Sequence, residues 1–169
     1  CMNRLGPAAH AKFLDIVGGA DDPRLTDLPR FLAEVLGLTP DLFDSGPTLP
    51  EDLRLDVAEG DQTIRPSMAL RRPTPLALSA SKGDAPYAML VWQLPGALDL
   101  DKPETTTGPW AYPPTAKLDR LLRASRVPIG LLVNEKALRL VYAPHGESTG
   151  HLTFRLDDMA EVGGRPILD

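Results

Sequence analysis

Apolar residues at helical spacing dominate the first part of the chain. In two stretches, Pro7 to Val17 and Pro29 to Leu38, apolar side chains recur three and four positions apart, as on one face of a helix. Thr39 followed by Pro40 predicts the start of a short helix that reaches Phe43. The sequence therefore predicts a helical segment over residues 1–44.

The spacing of apolar residues changes to a period of two from Leu53 onward. Residues Leu53 to Val57 and Thr63 to Leu70 are strand candidates, and Pro66 moves the second toward a sheet edge or a bulge. The run YAMLVWQL, from Tyr87 to Leu94, is the most continuously apolar in the chain. It predicts a central strand that is covered on both faces.

The second half of the chain predicts one helix followed by three strands. Between Thr115 and Arg126 the apolar stripe Leu118, Leu121 and Leu122 indicates a helix, with Lys117, Arg120 and Arg123 expected outside the stripe. The runs GLLV, LRLVY and HLTFRL then predict strands, with residues 134–136 turning the chain between the first two. A short helix is expected around residues 157–160.

This order of elements indicates the α/β (α+β) class, with a mixed β-sheet flanked by helices in residues 45–169. The helix at 115–126 is expected to cross over between parallel strands at 87–94 and 129–133. The segment 96–114 consists largely of turn residues and is long for a structureless loop, and loops of that length are usually functional or mobile.

Net charge limits the classes of partner. The chain of 169 residues carries a formal charge of −5, which argues against a protein that coats nucleic acid through a large basic excess. Because the cations are clustered, a local stripe of them that contacts DNA remains one hypothesis. The alternative is an ordinary helix face exposed to solvent. The candidates for phosphate contact are Arg65, Arg71, Arg72, Lys117, Arg120, Arg123 and Arg126.

Cysteine content and hydropathy indicate a cytoplasmic protein. The single cysteine, Cys1, cannot form an internal disulfide, which favours a reducing compartment. No apolar run approaches the roughly 18 residues that a membrane span needs, so no membrane contact is expected. The closing residues GRPILD lack the composition of a tail, and we expect the sequence to be a piece of a longer protein.

Most catalytic motifs are missing from the sequence. It contains no GxxxxGK[ST], no GxGxxG and no GxSxG, and its histidines are not spaced as metal ligands. The cluster APHGESTG gathers His145, Glu147 and Ser148, which would be one acid–base–nucleophile set. Because neighbouring residues in a turn rarely converge on one point, a polar turn that caps a strand pair is the favoured interpretation.

A nuclease core of the PD-(D/E)xK kind is the second candidate site. It needs an acid on one strand, then an acid or Gln with a Lys two residues on along the neighbouring strand, so that carboxylates hold Mg²⁺. The matching layout here has Ser67 for the first acid, Gln93 for the second ligand and Pro95 for the Lys. Because Ser67 is a poor ligand and Pro95 carries no charge, no metal site and no cleavage are expected.

The stretch LLRASRVPIGLLVNEKALRLVYAPHGESTGHLTF, from Leu121 to Phe154, resembles the N-terminal region of large bacterial DNA modification methylases. The same holds for FLAEVLGLTP, TIRPSMAL and GRPIL. These methylases are the fused type IIG restriction-modification enzymes and the related methylases of phage-defence systems such as DISARM and BREX. Their S-adenosylmethionine site and NPPY-type motif lie downstream, and this sequence contains no such tetrapeptide. The resemblance implies a restriction-endonuclease-like domain placed ahead of the methylase.

Three functional hypotheses follow. The first is a non-catalytic N-terminal domain of a DNA methyltransferase or restriction-modification protein, contributing DNA contact or docking to the methyltransferase domain of the same polypeptide. The second is a Mg²⁺-dependent endonuclease with migrated ligands. Its replacement ligands would be Asp99, Asp101 and Glu104, with Lys102 or Lys117 as the cation. The third is a pure protein–protein interaction module. Under the first and third hypotheses this chain binds no cofactor.

Overall fold

A computed structural model of the chain describes residues 6–57, 62–73, 86–103 and 111–161. These residues form four α-helices and eight β-strands. The helices are α1 (Gly6–Val17), α2 (Leu28–Glu34), α3 (Pro114–Ser125) and α4 (Leu156–Ala160). The strands are β1 (Phe43–Ser45), β2 (Leu55–Val57), β3 (Gln62–Ile64), β4 (Met68–Arg71), β5 (Tyr87–Gln93), β6 (Ile129–Val133), β7 (Ala137–Tyr142) and β8 (Gly150–Arg155).

Six strands form one mixed sheet in the order β1-β4-β5-β6-β7-β8, and β2 and β3 form a separate hairpin. Only β5 and β6 are parallel, in a register that places Met89 opposite Ile129 and Gln93 opposite Val133. The other neighbours in this sheet are antiparallel. Since parallel neighbours need a crossover, α3 connects the two, which confirms the predicted mixed sheet and its crossover helix.

Close packing of α3 on the sheet depends on a glycine in β6. A Cβ built on Gly130 would come within 2.9 Å of side-chain carbons of both Leu118 and Leu122. Real Cβ atoms essentially never approach so closely, so a side chain at this position would require the two leucine side chains to shift. The apolar stripe of α3 therefore lies directly on β6, as the spacing of its leucines predicts.

The two faces of the sheet carry separate cores. On one face, α3 and the β2–β3 hairpin cover Leu90, Leu132 and Val141. On the other, α1, α2 and α4 cover Met89, Val91 and neighbouring apolar residues, with Phe13 and Phe31 in edge-to-face contact at 6.2 Å between ring centroids. Alternation along each strand places successive side chains on opposite faces of the sheet.

Two boundaries differ from the sequence prediction. The short helix expected to reach Phe43 is a 3₁₀ turn that ends at Leu42, and Phe43 opens β1, which pairs with β4. The strand predicted over 63–70 is two strands, β3 and β4, in different sheets. Pro66 lies between them, where the missing N–H of proline interrupts strand pairing.

Candidate functional site

The predicted nuclease positions Ser67 and Gln93 lie side by side at one end of the sheet. Ser67 directly precedes β4, and Gln93 is the last residue of the neighbouring β5. The Ser67 amide donates to the Val91 carbonyl at 2.7 Å, and the Gln93 amide donates to Ser67 Oγ at 2.9 Å. The Ser67 hydroxyl is therefore already used in joining the two strands.

Strand alternation separates the side chains of these positions. Ser67 stands two residues before Ala69, which faces α3, whereas Gln93 stands two residues after Val91, which faces α1 and α2. Pro95 follows the end of β5 and is exposed. The backbones meet here, but the alternation directs the side chains of Ser67 and Gln93 to opposite faces, so they do not form one cluster.

The replacement ligands considered for a migrated nuclease site are engaged elsewhere. Asp99 pairs with Lys102 at 3.2 Å, and Asp101 is held by Arg139. Glu104 lies outside the described residues. Within the described ranges, no group of three His, Cys, Asp or Glu side chains is placed to hold a metal ion.

Arg139 is the most highly connected charged residue on the α3 face. Although it lies in the middle of β7 and is 6% exposed, its guanidinium holds both carboxylate oxygens of Asp101, at 2.5 and 2.9 Å. It also donates to the hydroxyls of Thr115 and Thr153, each at 2.8 Å. These hydrogen bonds from Arg139 lower the pKa of Asp101. The pair fixes the loop after β5 to the start of α3 and to β8.

Sequence reasoning did not single out Arg139. The available signal was an arginine inside the apolar run LRLVY, because a charge in a buried strand requires a partner. Its partner, Asp101, is 38 residues away in the chain. No local pattern links the two, so the pair becomes visible only in the fold.

The turn between β6 and β7 is held by Asn134, which is 6% exposed. Its Oδ1 accepts hydrogen bonds from the amides of Lys136 and Ala137, at 2.8 and 2.7 Å. Its Nδ2 donates to the Leu98 carbonyl at 2.6 Å. All of these contacts are to backbone atoms, so Asn134 shapes the turn and anchors the loop after β5.

The same turn connects three distant parts of the chain. The Glu135 carbonyl accepts from the Leu25 amide at 2.9 Å, and the Glu135 amide donates to the Gly96 carbonyl at 2.8 Å. Lys136 Nζ binds Asp22 and the Pro23 carbonyl, while its own carbonyl accepts from Leu156 at 3.0 Å. The hydrogen bond from Lys136 lowers the pKa of Asp22, with a further contribution from Arg24. The turn is thus a structural junction.

The polar cluster after β7 is attached to α3 through backbone and threonine contacts. Arg123 donates to the Glu147 carbonyl at 3.1 Å and to Thr149 Oγ1 at 2.7 Å, and Thr149 donates to Asp119 at 2.5 Å. His145, Glu147 and Ser148 are exposed, and none of the described hydrogen bonds joins their side chains. This geometry agrees with the polar-turn interpretation.

Several candidate DNA contacts are engaged within the chain. Arg65 donates to the Leu49 carbonyl at 3.1 Å and lies 3.5 Å from Glu51. Arg71 donates to the Asp41 carbonyl and stands 3.9 Å from Asp44. Arg65, Arg71 and Arg123 therefore each contact an acidic side chain and donate to a backbone carbonyl within the chain.

The prediction that Lys117 lies outside the apolar stripe is wrong. Lys117 is 5% exposed, next to the buried Leu118 and one turn from Leu121. The packed side of α3 is wider than the three leucines suggest, because Pro114 is buried as well. The exposed cations of this part of the chain are Arg120 and Arg123, on α3, and Arg126, which ends the helix in a left-handed conformation with φ 57°. Arg72, on β4's flank, is half-buried.

An apolar groove lies on the opposite face, between α2, α4 and the strands β6 to β8. It encloses about 220 Å³ and is lined by Phe31, Leu36, Leu131, Leu138, Leu140, Phe154 and Met159. Leu36 is 47% exposed, and at the neighbouring sheet surface Tyr142 and Leu152 are 51% and 62% exposed. Contiguous apolar surface of this kind marks interaction sites.

Comparison of the chain with protein-family models, with curated proteins and with solved structures found no match. Within the part of the chain that the structure describes, no helix is long and apolar enough to cross a membrane.

Proposed function

We propose that this chain is a non-catalytic, restriction-endonuclease-like N-terminal domain of a DNA methyltransferase or restriction-modification protein. It serves by docking to the methyltransferase domain of the same polypeptide. S-adenosylmethionine would be bound by that other domain, and Mg²⁺ belongs only to the nuclease alternative. The proposed restriction-endonuclease-like fold is supported by the antiparallel β4–β5 pair, which is followed by the crossover helix α3 and the parallel β5–β6 pair.

The observation that carries the non-catalytic part is the pairing of Ser67 with Gln93. Where a nuclease needs an acid, Ser67 offers a hydroxyl that already accepts the Gln93 amide. The acids of the following loop, Asp99 and Asp101, are paired with cations. Carboxylates neutralised in this way are poorly placed to share a divalent ion.

Docking is favoured over DNA contact by the distribution of charge and apolar surface. The cations Arg65, Arg71 and Arg123 already contact acids or carbonyls, and Lys117 is buried. The groove, by contrast, exposes apolar side chains. Glu161 is two positions after the groove-lining Met159.

Incubation of the chain with supercoiled and linear DNA, with and without Mg²⁺, tests the absence of catalysis. We expect no metal-dependent cutting. Cutting that disappears in Lys102→Ala would contradict the proposal and support the migrated nuclease. Lys102 is exposed, so this substitution should leave the fold intact.

The docking role is tested in the natural full-length polypeptide. Leu36→Glu places a charge in the groove and should lower methyl transfer from S-adenosylmethionine to DNA, while isolated chains carrying it remain folded by circular dichroism. Leu42→Glu is the matched control, because Leu42 is 38% exposed and does not line the groove. Equal methylation by both variants and the wild type would contradict the docking role.

DNA contact is separated from docking by a mobility-shift assay at low salt, where phosphate contacts are strongest. The double variant Arg120→Ala/Arg126→Ala removes one exposed cation on α3 and the exposed cation that follows its last residue. Binding that is lost in this variant would transfer the primary role from docking to DNA contact. No shift by the wild-type chain is the outcome that we expect.

A further inference from the structure

Strand β8 forms one edge of the six-stranded sheet, and β7 is the only strand that pairs with it among the described residues. The backbone amides and carbonyls on the side of β8 away from β7 therefore have no neighbouring strand among the described residues. It is six residues long, against three for β1 at the other edge, and five of its residues are exposed. Its sequence, GHLTFR, contains neither lysine nor proline, the residues that usually protect an edge strand.

The centre of β8 presents an exposed leucine. Leu152 is 62% exposed, the highest exposure of any large apolar side chain among the described residues. It is opposite Leu140 on β7, and the adjoining pair on the same face is Gly150 with Tyr142. The apolar surface thus extends to the last strand and stops there.

We propose that β8 pairs antiparallel with β8 of a second copy of this chain, about a two-fold axis at Leu152. Cross-strand partners must lie on the same face, so Leu152 is opposite its own copy. The same register places His151 opposite Thr153 and Gly150 opposite Phe154. The two sheets then form one continuous sheet of twelve strands.

This register is self-complementary in size and charge. Each Phe154 ring meets a glycine, and an aromatic side chain covers a cross-strand glycine well. Arg155 is opposite Thr149, so no like charges face each other, and Arg155 keeps its own partner, Asp157, 3.7 Å away. The apolar row from Leu140 to Leu152 continues into the same row of the second copy.

A second copy fits better than an unrelated strand because one sequence supplies both halves of every pair. A two-fold axis uses the same patch on both subunits, so each favourable contact occurs twice. One strand pair buries less than the roughly 1,000 Å² of a stable interface, so we expect a weak, concentration-dependent dimer.

Sedimentation velocity over about 5–200 µM chain, the range suited to a weak interface, measures the association. The wild type should shift from monomer toward dimer. Leu152→Lys should raise the dissociation constant about tenfold or more, because two ammonium groups then face each other. Leu42→Lys, at the opposite edge of the sheet, should leave the constant unchanged. A monomer throughout, or a dimer that survives Leu152→Lys, would overturn the proposal.

Disulfide cross-linking tests the register independently of affinity. Opposed residues in an antiparallel pair have Cα atoms about 4.5–5.5 Å apart, which suits a disulfide. In a Cys1→Ser background, Leu152→Cys should give a covalent dimer on mild oxidation, and Leu42→Cys should not. Equal cross-linking of both variants, or cross-linking of neither, would contradict the two-fold axis at Leu152.

The dimer does not depend on the proposed function. The difference in sedimentation between the isolated wild-type and Leu152→Lys chains reports on β8, whereas the methylation assay reports on the groove. Loss of methylation in Leu36→Glu with unchanged self-association would support docking and leave the dimer proposal standing on its own data.

Discussion

The two faces of the sheet are covered by other elements to different degrees. On the α3 face, apolar residues reach from β4 to β7, and the buried Arg139 among them is hydrogen-bonded to Asp101 and two threonines. On the opposite face, Phe13 and Phe31 cover the central strands, but the surface beyond Leu140 is open. Tyr142 and Leu152 are more than half exposed there.

This contrast separates scaffold from surface. Arg139 is retained inside the α3 face because its hydrogen bonds to Asp101, Thr115 and Thr153 offset the cost of burying its charge. The open face exposes apolar side chains that cost little to leave in water individually but together form an attachment site. The polar cluster after β7 is attached to α3. The groove and strand β8, for which we propose interactions, carry the exposed apolar side chains of the opposite face.

The largest expected effect is a cavity on the α3 face. Leu121 is fully buried, so Leu121→Ala should lower the free energy of unfolding by about 2–5 kcal/mol. Urea unfolding followed by circular dichroism measures the change. A loss below about 1 kcal/mol, well under that range, would mean that this face is not the tightly packed one.

A smaller loss is expected when the buried arginine loses its charged partner. Asp101→Asn should cost about 1 kcal/mol, because a hydrogen-bonded charge is removed from the buried Arg139 but the Asp101 side chain is itself 65% exposed and solvent screens the pair. Asp99→Asn is the matched control, because its partner Lys102 is exposed and surface pairs contribute about 0–1 kcal/mol. Equal losses in the two variants would show that the Arg139 pair behaves as a surface pair.

The Asp101 pair also predicts acid sensitivity. Its pKa is lowered in the folded state, so the stabilisation is present above the unfolded pKa of about 4. This stabilisation is lost as the pH falls through the pKa that Asp101 has in the folded state. The stability of wild type and Asp101→Asn should therefore converge in acid. A constant difference between them down to the lowest pH at which both still fold would contradict this.

Tyr87, at the edge of the α3 face, predicts alkaline sensitivity. Burial, then the hydrogen bond to Asp44 at 2.9 Å, raises the pKa of Tyr87 to about 12. A raised pKa gives stability below the unfolded value of about 10 that is lost as the pH rises toward 12. Tyr87→Phe should cost about 1 kcal/mol at neutral pH and remove this alkaline slope.

The exposed Tyr142 supplies the control for the alkaline measurement. Tyr142→Phe should leave both the neutral stability and the alkaline slope of the wild type in place, because Tyr142 is 51% exposed. The stability of both variants would be measured by denaturant unfolding between about pH 8 and 12, an interval that contains the unfolded pKa of Tyr87 and reaches its folded pKa. An alkaline slope that persists in Tyr87→Phe would assign it to another group.

The smallest effect is expected on the open face. Leu152→Ala should change the free energy of unfolding of the monomer by no more than about 0.5 kcal/mol, as for other surface substitutions. The same Leu→Ala change thus differs severalfold between the two faces. A loss as large as that of Leu121→Ala, measured at a concentration where the chain is monomeric, would remove the distinction.

The sequence by itself determined most elements and the class of the fold. The leucines of α3 recur at helical spacing, and the short runs around Leu90, Leu132 and Leu140, bounded by turn residues, predicted strands, so short-range patterns were sufficient. A helix between two apolar runs also predicted their parallel pairing. The residue types at Ser67, Gln93 and Pro95 predict that no metal-dependent nuclease site is formed, and this stays a prediction.

Only the tertiary structure decided which side chains share a face and which charges are used. Ser67 and Gln93 are neighbours in the sheet, yet the alternation of the strands directs them apart, and a shift of one residue would have reversed this. Lys117 is buried because α3 packs on more of its circumference than its leucines indicate. Arg139 and Asp101 meet across 38 residues of chain, a distance over which no local pattern carries information.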